Sequence, residues 1–124
     1  MNREEGVPTL IVVKPGQLRE GLGALLAAIP RIRLIGQSGD CSSALRMLAE
    51  HHPALVLLET DLPGDRVTDL LRHIKAQQSQ TVCIVLTGDS REQQQIEEAG
   101  ADVSVPKGYP AARLLEIIKN YANL

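Results

Sequence analysis

An unbroken apolar segment that ends in a single acid constrains the fold of this chain most. Residues 54–58 read Ala-Leu-Val-Leu-Leu, and Glu59 follows them directly. A strand with one wet face alternates apolar and polar residues, so this run predicts a strand buried on both faces, as in the middle of a parallel sheet. Open α/β sheets carry their functional groups beyond the carboxyl ends of such strands. We therefore expect Glu59 to lie at the centre of a functional site.

Four further strand-like segments alternate with helical patterns along the chain. The apolar runs cover residues 9–13, 31–36, 81–86 and 103–105, and apolar residues recur at helical spacing after each of the five strands. Strict alternation of this kind predicts an α/β fold, with a five-stranded parallel sheet, right-handed crossovers and helices on both faces. Arginines interrupt the second run, at Arg31 and Arg33, which predicts a strand at the edge of the sheet. Asp65 or Thr68 is expected to cap the third helix.

The fourth helix has the weakest apolar pattern of the five. Within residues 91–99 only Ile96 and Ala99 are able to face a core, and the other positions are charged residues or glutamines. Helices gain most of their stability from packing an apolar face. We therefore expect this helix to be short or frayed.

Composition excludes several classes of function. A chain of 124 residues suits one domain, residues 1–124, in which residues 1–8 are expected to be flexible. The formal charge of −2 and the absence of Phe and Trp disfavour direct nucleic-acid binding. Cys41 and Cys83 do not fit a metal-ligand spacing, and Cys83 lies in an apolar run that predicts a core position. No segment resembles a signal peptide or a membrane helix, so we expect a cytoplasmic protein that does not contact the membrane.

Five short motifs resemble one family. They are Leu18-Arg19-Glu20-Gly21-Leu22, the run at residues 53–58, Asp61-Leu62-Pro63-Gly64, Leu86-Thr87 and Ala99-Gly100-Ala101-Asp102. Together they resemble the CheY-like receiver domain of two-component response regulators, over residues 9–121. The first motif resembles the subfamily whose receivers precede a LuxR-type helix-turn-helix domain. The resemblance implies a doubly wound, flavodoxin-like sheet in the order 2-1-3-4-5.

The resemblance also implies a phosphorylation site, and this chain departs from it. Receivers phosphorylate an aspartate at the end of the third strand, with Mg²⁺ held by that aspartate and by acids after the first strand. The phosphoacceptor position here is Glu59, and the acid positions fall on Val13 and Lys14. A hard divalent cation needs several oxygen ligands, so we expect no Mg²⁺. Glutamate also extends the carboxylate by about 1.5 Å, which displaces the attacking oxygen.

The remaining family positions define a degenerate phosphoacceptor pocket. The hydroxyl that contacts the phosphoryl group corresponds to Thr87 and the lysine to Lys107, while Asp61 follows Glu59 by two residues. We expect the Lys14 ammonium to neutralise Glu59 in place of the metal, with Lys107 on the other side. The alternative is that Lys14 points into solvent and Glu59 pairs with Lys107 alone. Where receivers often carry a switching Tyr or Phe, this chain has Ser104, so the aromatic switch is expected to be absent.

These departures favour a pseudo-receiver, a module that regulates through protein contacts without phosphoryl transfer, catalysis or a cofactor. One alternative is the receiver of a LuxR-type transcription regulator whose DNA-binding domain is absent from this chain, with Glu59 as a constitutive phospho-mimic. Another is a flavodoxin-like binder of small molecules or anions, for which Thr87-Gly88-Asp89-Ser90 is the candidate site. The expected partner is another protein or a fused output domain.

A homodimer is a further expectation from the resemblance. The candidate interface residues lie in the last helix, and they also form its apolar stripe: Leu114, Ile118 and Tyr121. The sequence leaves both interpretations open, an interface or the core.

Overall fold

A computed structural model describes residues 6–62 and 67–124 of the chain. Five strands alternate with five helices, in the order β1 Val7–Val12, α1 Gln17–Ala27, β2 Ile32–Ser38, α2 Cys41–His51, β3 Leu55–Glu59, α3 Val67–Gln77, β4 Val82–Thr87, α4 Ser90–Ala99, β5 Val103–Pro106 and α5 Ala111–Tyr121. The strands form one parallel sheet in the order β2-β1-β3-β4-β5. This confirms the predicted doubly wound fold and its strand order.

Strand β3 occupies the centre of the sheet, between β1 and β4. All five of its residues are buried, as the unbroken apolar run predicted. Alternate side chains enter different cores: Val56 and Leu58 pack with α2, α3 and α4, whereas Leu55 and Leu57 pack with α1 and α5. Because both faces of β3 are buried, its side chains have to be apolar. Glu59, at its carboxyl end, is the one polar residue of the strand.

Strand β2 lies at the edge of the sheet, as its interrupted pattern predicted. Its Leu34 is 40% exposed. The pairing of β1 with β2 shifts register between Thr9 and Leu10. Strand β1 begins at Val7, two residues before the expected start, and residues 1–5 lie outside the described part of the chain.

The helix caps agree only in part with the sequence. Asp40 caps α2, because its Oδ1 accepts a hydrogen bond of 2.8 Å from the Ser43 amide. Thr68 lies inside α3, which begins at Val67, so its assignment as a cap was wrong. Asp65, the other candidate, lies outside the described residues.

Helix α4 has ten residues, one fewer than each of the other four helices in the described part of the chain, so it is the shortest, and its fraying stays a prediction. Ile96 and Ala99 are its buried residues, as predicted. The sequence pattern indicates only apolar burial as a source of stability for α4. The structure adds side-chain hydrogen bonds from Glu92 and Glu97 to residues outside the helix.

The three candidate interface residues of α5 do not share one environment. Leu114 and Ile118 are 7% and 0% exposed and belong to the core on the α1 and α5 side of the sheet. Of the two interpretations that the sequence left open, the core therefore applies to Leu114 and Ile118, because their side chains are already covered within the domain. Tyr121 is 40% exposed and remains accessible.

Cys83 lies in the core, as its apolar surroundings predicted. Burial raises the pKa of its thiol to about 12. The thiol is therefore protonated and unreactive near neutral pH. In the described ranges, no helix has both the length and the apolar character needed to cross a membrane.

Replacing glycine by alanine is expected to have opposite effects on stability at Gly100 and at Gly21. Gly100 has φ +120°, and an added Cβ would lie 2.7 Å from Cγ of Lys75. We expect Gly100→Ala to lower the free energy of unfolding by about 1–3 kcal/mol. Gly21 lies within α1 with no atom within 4 Å of an added Cβ, so Gly21→Ala should raise it by about 0.5–1 kcal/mol. Urea denaturation measures the change in the free energy of unfolding for both variants. Equal changes would contradict the expected difference between the two positions.

Candidate functional site

The carboxyl ends of the inner strands bring the candidate residues together. Lys14 follows β1, Glu59 ends β3 and Asp61 lies two residues beyond it, Thr87 ends β4, and Lys107 follows β5. Parallel strands place their carboxyl ends at one edge of the sheet, so residues up to 93 positions apart in the sequence become neighbours here. The pocket predicted from the sequence is therefore assembled around Glu59.

Glu59 is the buried acid of this edge, with a side chain only 2% exposed. Its Oε1 accepts a hydrogen bond of 2.7 Å from the Lys107 ammonium. Its Oε2 accepts one of 2.7 Å from the backbone amide of Lys14. Both oxygens are thus engaged, one by a positive charge and one by a backbone dipole, which is what a buried carboxylate requires.

The ammonium of Lys14 does not pair with Glu59, and this corrects the expected contact. It lies 2.7 Å from Oδ2 of Asp61, at the outer edge of the site, so it does not point freely into solvent. Glu59 forms its ion pair with Lys107, as the alternative expected. The hydrogen bond from Lys14 lowers the pKa of Asp61 and raises the pKa of Lys14. The backbone amide already occupies Oε2 of Glu59, and the Lys14 side chain extends outward to the second acid.

Val13, at the other position of the family's acid pair, is part of the core. It is 1% exposed and packs on the α1 and α5 side of the sheet. Its carbonyl accepts a hydrogen bond of 2.9 Å from Nε of Arg19. Arg19 therefore contacts the backbone directly after β1, a role that the sequence did not indicate.

Thr87 and Lys107 are linked through the backbone. Thr87 is 2% exposed, and its carbonyl accepts a hydrogen bond of 2.9 Å from the Lys107 amide. This bond continues the pairing of β4 with β5 by one residue and directs the chain at Lys107 toward Glu59. The peptide bond between Val105 and Pro106 is trans, as are all described peptide bonds.

The loop after β4 contains a carboxylate, that of Asp89, at the start of α4. Asp89 caps α4, and its Oδ1 accepts a hydrogen bond of 2.7 Å from the Arg91 amide. The Arg91 side chain also pairs with Asp89 at 3.1 Å. A carboxylate thus already occupies the helix start at which the sequence suggested an anion site.

The charges at this edge balance within the site. Glu59 pairs with Lys107, and Asp61 pairs with Lys14. Within residues 6–62 and 67–124, no three His, Cys, Asp or Glu side chains are grouped so that they could hold a metal ion. A hard divalent cation at this edge would meet the Lys14 ammonium beside Asp61 and the Lys107 ammonium beside Glu59.

Comparison with known proteins identifies a family. The family model for the response regulator receiver domain matches residues 10–119. The transcriptional regulatory protein LiaR of Bacillus subtilis is 29% identical over 115 residues, which cover 91% of this chain and 54% of that protein. A protein-glutamate methylesterase/protein-glutamine glutaminase of Rhodopseudomonas palustris is 32% identical over 107 residues, covering 84% of this chain and 30% of that protein. The chain thus spans about half or less of these relatives.

Solved structures show the same fold. The receiver domain of the putative response regulator NarL from Mycobacterium tuberculosis has a TM-score of 0.87 at 18% identity, covering 96% of this chain and 98% of that one. A LuxR-family two-component response regulator from Aurantimonas sp. has a TM-score of 0.87 at 24% identity, covering 95% and 86%. At these identities the likeness establishes the fold alone.

The two lysines of the site should differ in their effect on stability. Lys107→Met would leave the Glu59 charge buried without its cation, so we expect the free energy of unfolding at pH 7 to fall by about 3–5 kcal/mol. Lys14→Met keeps the backbone amide and breaks only the exposed pair with Asp61, so the loss should be clearly smaller than for Lys107→Met. Urea denaturation measures both. Adding Glu59→Gln to Lys107→Met should recover part of the loss, and equal losses in the two single variants would contradict the assignment.

Proposed function

Because this chain belongs to the response regulator receiver family, we propose that it is a pseudo-receiver, which regulates through protein contacts and does not carry out phosphoryl transfer. The partner is a separate protein or an output domain of the same polypeptide. The domain needs no cofactor for this role, and we assign it no catalytic residue.

The observation that carries the proposal is the environment of Glu59. Phosphoryl transfer needs an unengaged acceptor oxygen with room for in-line approach. Here one oxygen of Glu59 receives the Lys107 ammonium and the other the Lys14 amide, each at 2.7 Å, and the side chain is 2% exposed. An acid held in this way supports the structure rather than acting as a nucleophile.

The surroundings of Lys14 support the same proposal. Phosphoryl transfer relies on a divalent cation to neutralise developing charge. At the positions where the family resemblance places acids after the first strand, this chain has an apolar core residue and a lysine paired with Asp61. An ammonium at this edge repels a divalent cation, so the domain lacks both the ligands and the charge for metal-assisted transfer.

Intact mass spectrometry after incubation with acetyl phosphate and Mg²⁺ tests the proposal directly. We expect no added phosphate on the protein, because Glu59 is engaged and the metal ligands are missing. A mass increase of one phosphate that maps to residue 59 would overturn the proposal.

A double variant, Lys14→Asp with Glu59→Asp, provides the matched control. It restores two of the acids that the family resemblance implies and removes the opposing ammonium. We expect Mg²⁺-dependent phosphate incorporation in this variant but not in Glu59→Asp alone, which retains Lys14. Such a result would show that the assay detects phosphorylation and that residue 14 controls it.

A second candidate role is the receiver of a transcription regulator with Glu59 as a phospho-mimic. Two observations favour it: this chain spans about half of LiaR, a transcriptional regulatory protein, and Lys107, the lysine assigned to the phosphoryl group, contacts Glu59. The DNA-binding part would then lie outside this chain. The charge of Glu59 would have to set the conformation of the domain.

Amide NMR spectra of Glu59→Gln test this role. If Glu59 acts only as a neutralised structural acid, chemical shifts should change close to Lys14 and Lys107 and not along α4. A phospho-mimic should instead shift the amides of α4 and of β5 around Ser104 when its charge is removed. The spectrum of Lys14→Met, which perturbs the same edge without touching the Glu59 charge, is the control.

A further inference from the structure

The peptide group between Val13 and Lys14 lies between two side chains of opposite charge. Its carbonyl, which belongs to Val13, accepts a hydrogen bond of 2.9 Å from Nε of Arg19. Its N–H, which belongs to Lys14, donates one of 2.7 Å to Oε2 of Glu59. A guanidinium and a buried carboxylate are thus joined through a single planar group.

The orientation of this peptide suits both charges. The oxygen is the negative end of the peptide dipole and faces the guanidinium, whereas the hydrogen is the positive end and faces the carboxylate. Consecutive hydrogen bonds of this kind polarise one another, most strongly where the local dielectric is low. The Glu59 side chain is only 2% exposed. The positive charge of Arg19 therefore reaches Glu59 along a path of roughly 8 Å through bonded and hydrogen-bonded atoms.

The place of Arg19 within its helix is unfavourable for a cation. It lies in the first turn of α1, where the helix dipole disfavours positive charge. The N-cap residue, Gly16, makes no side-chain hydrogen bond to that turn. In the described part of the chain, the Arg19 guanidinium forms no ion pair with an acidic side chain. Helix stability and local pairing do not explain an arginine here, whereas the bond to the Val13 carbonyl does.

The neighbouring segments leave a closely fitted space for this contact. The Val13 amide donates a hydrogen bond of 2.9 Å to the Ser38 carbonyl at the end of β2. A Cβ added to Gly39 would lie 3.2 Å from Nη2 of Arg19 and 3.3 Å from Cδ of Pro15. The absence of a side chain at residue 39 therefore leaves room for the guanidinium beside the loop after β1.

We propose that Arg19 is a positioning residue and a second counter-charge for Glu59, which acts through the peptide between Val13 and Lys14. Lys107 compensates Oε1 of Glu59 directly, and Arg19 compensates Oε2 through the peptide. The inference deepens the proposed function and rests on it in treating Glu59 as an acid that is held rather than used. Phosphate on residue 59 would overturn the proposed function, whereas the coupling of Arg19 to Glu59 is measured in unphosphorylated protein.

Hydrogen exchange of the Lys14 amide, followed by NMR on the full chain, tests this role. Arg19→Met removes the guanidinium and keeps a long side chain, so Lys14 should exchange about tenfold faster relative to β3 amides of the same variant. Comparison within one variant separates this local effect from a general loss of stability. Arg19→Lys keeps the charge and should recover part of the protection. Arg72→Met removes an exposed arginine of α3 and should change the ratio by less than about twofold.

A Glu59→Gln background distinguishes charge coupling from a purely structural role of Arg19. Glutamine keeps an acceptor oxygen at residue 59 but carries no charge to polarise the peptide. We expect Arg19→Met to accelerate Lys14 exchange by about tenfold when residue 59 is glutamate, and by less than about threefold when it is glutamine. An arginine that only packs against the loop would give the same factor in both backgrounds.

The Glu59→Gln variant alone supplies a measurement that does not need Arg19→Met to fold. Coupling between two groups is reciprocal, so loss of the Glu59 charge should weaken the hydrogen bond that Arg19 donates. The Nε proton of Arg19 should then exchange with water faster than in the native protein, by about threefold or more. The Nε proton of Arg72, on the exposed surface of α3, should keep its rate and serves as the internal control.

Two results would overturn the proposal. The first is an equal acceleration of Lys14 exchange by Arg19→Met with glutamate and with glutamine at residue 59, which would reduce Arg19 to a packing role. The second is an unchanged exchange rate of the Arg19 Nε proton in Glu59→Gln, which would show that the peptide does not transmit the charge.

Discussion

A buried carboxylate and the groups that compensate it determine the arrangement of this domain's carboxyl edge. Moving a charge such as that of Glu59 out of water costs several kcal/mol unless hydrogen bonds and an opposite charge replace its hydration. Lys107 and the Lys14 amide supply these, so the ends of β1, β3 and β5 converge on one side chain. The contact that satisfies the acid also fixes the loop after β1 and the loop after β5.

Each of the four charged side chains of this site has a partner of opposite charge. Asp61 and Lys14 form a second, exposed pair outside the buried one, and the charges of the four side chains cancel. A receiver that uses Mg²⁺ needs an excess of acids at this place, because the cation must be attracted and held. Here Lys14 stands at one of those acid positions, and its ammonium pairs with Asp61.

The predictions that were correct and those that failed have separable physical causes. Apolar patterns predicted three positions correctly: β3 at the centre of the sheet, β2 at its edge and Cys83 in the core. Buried positions require apolar side chains, so the sequence shows them directly. The apolar pattern of α4 did not indicate the carboxylate–hydroxyl bonds that Glu92 and Glu97 form with distant segments. The contact assigned to Lys14 was wrong because the group that meets Glu59 is a backbone amide, which every residue except proline carries and no sequence pattern marks.

The order of the sheet was implied by the resemblance to the receiver family, whereas the sequence by itself determined the alternation of strands and helices and the presence of an acid and a lysine at the ends of β3 and β5. These depend on periodicity and on positions along each strand, which are local properties. Only the tertiary structure decided that the Lys14 ammonium pairs with Asp61 and that the Ser104 hydroxyl donates a hydrogen bond to Glu97. The reason is that hydrogen bonds and ion pairs form over about 3 Å, whereas elements distant in sequence are placed relative to each other only when the cores pack.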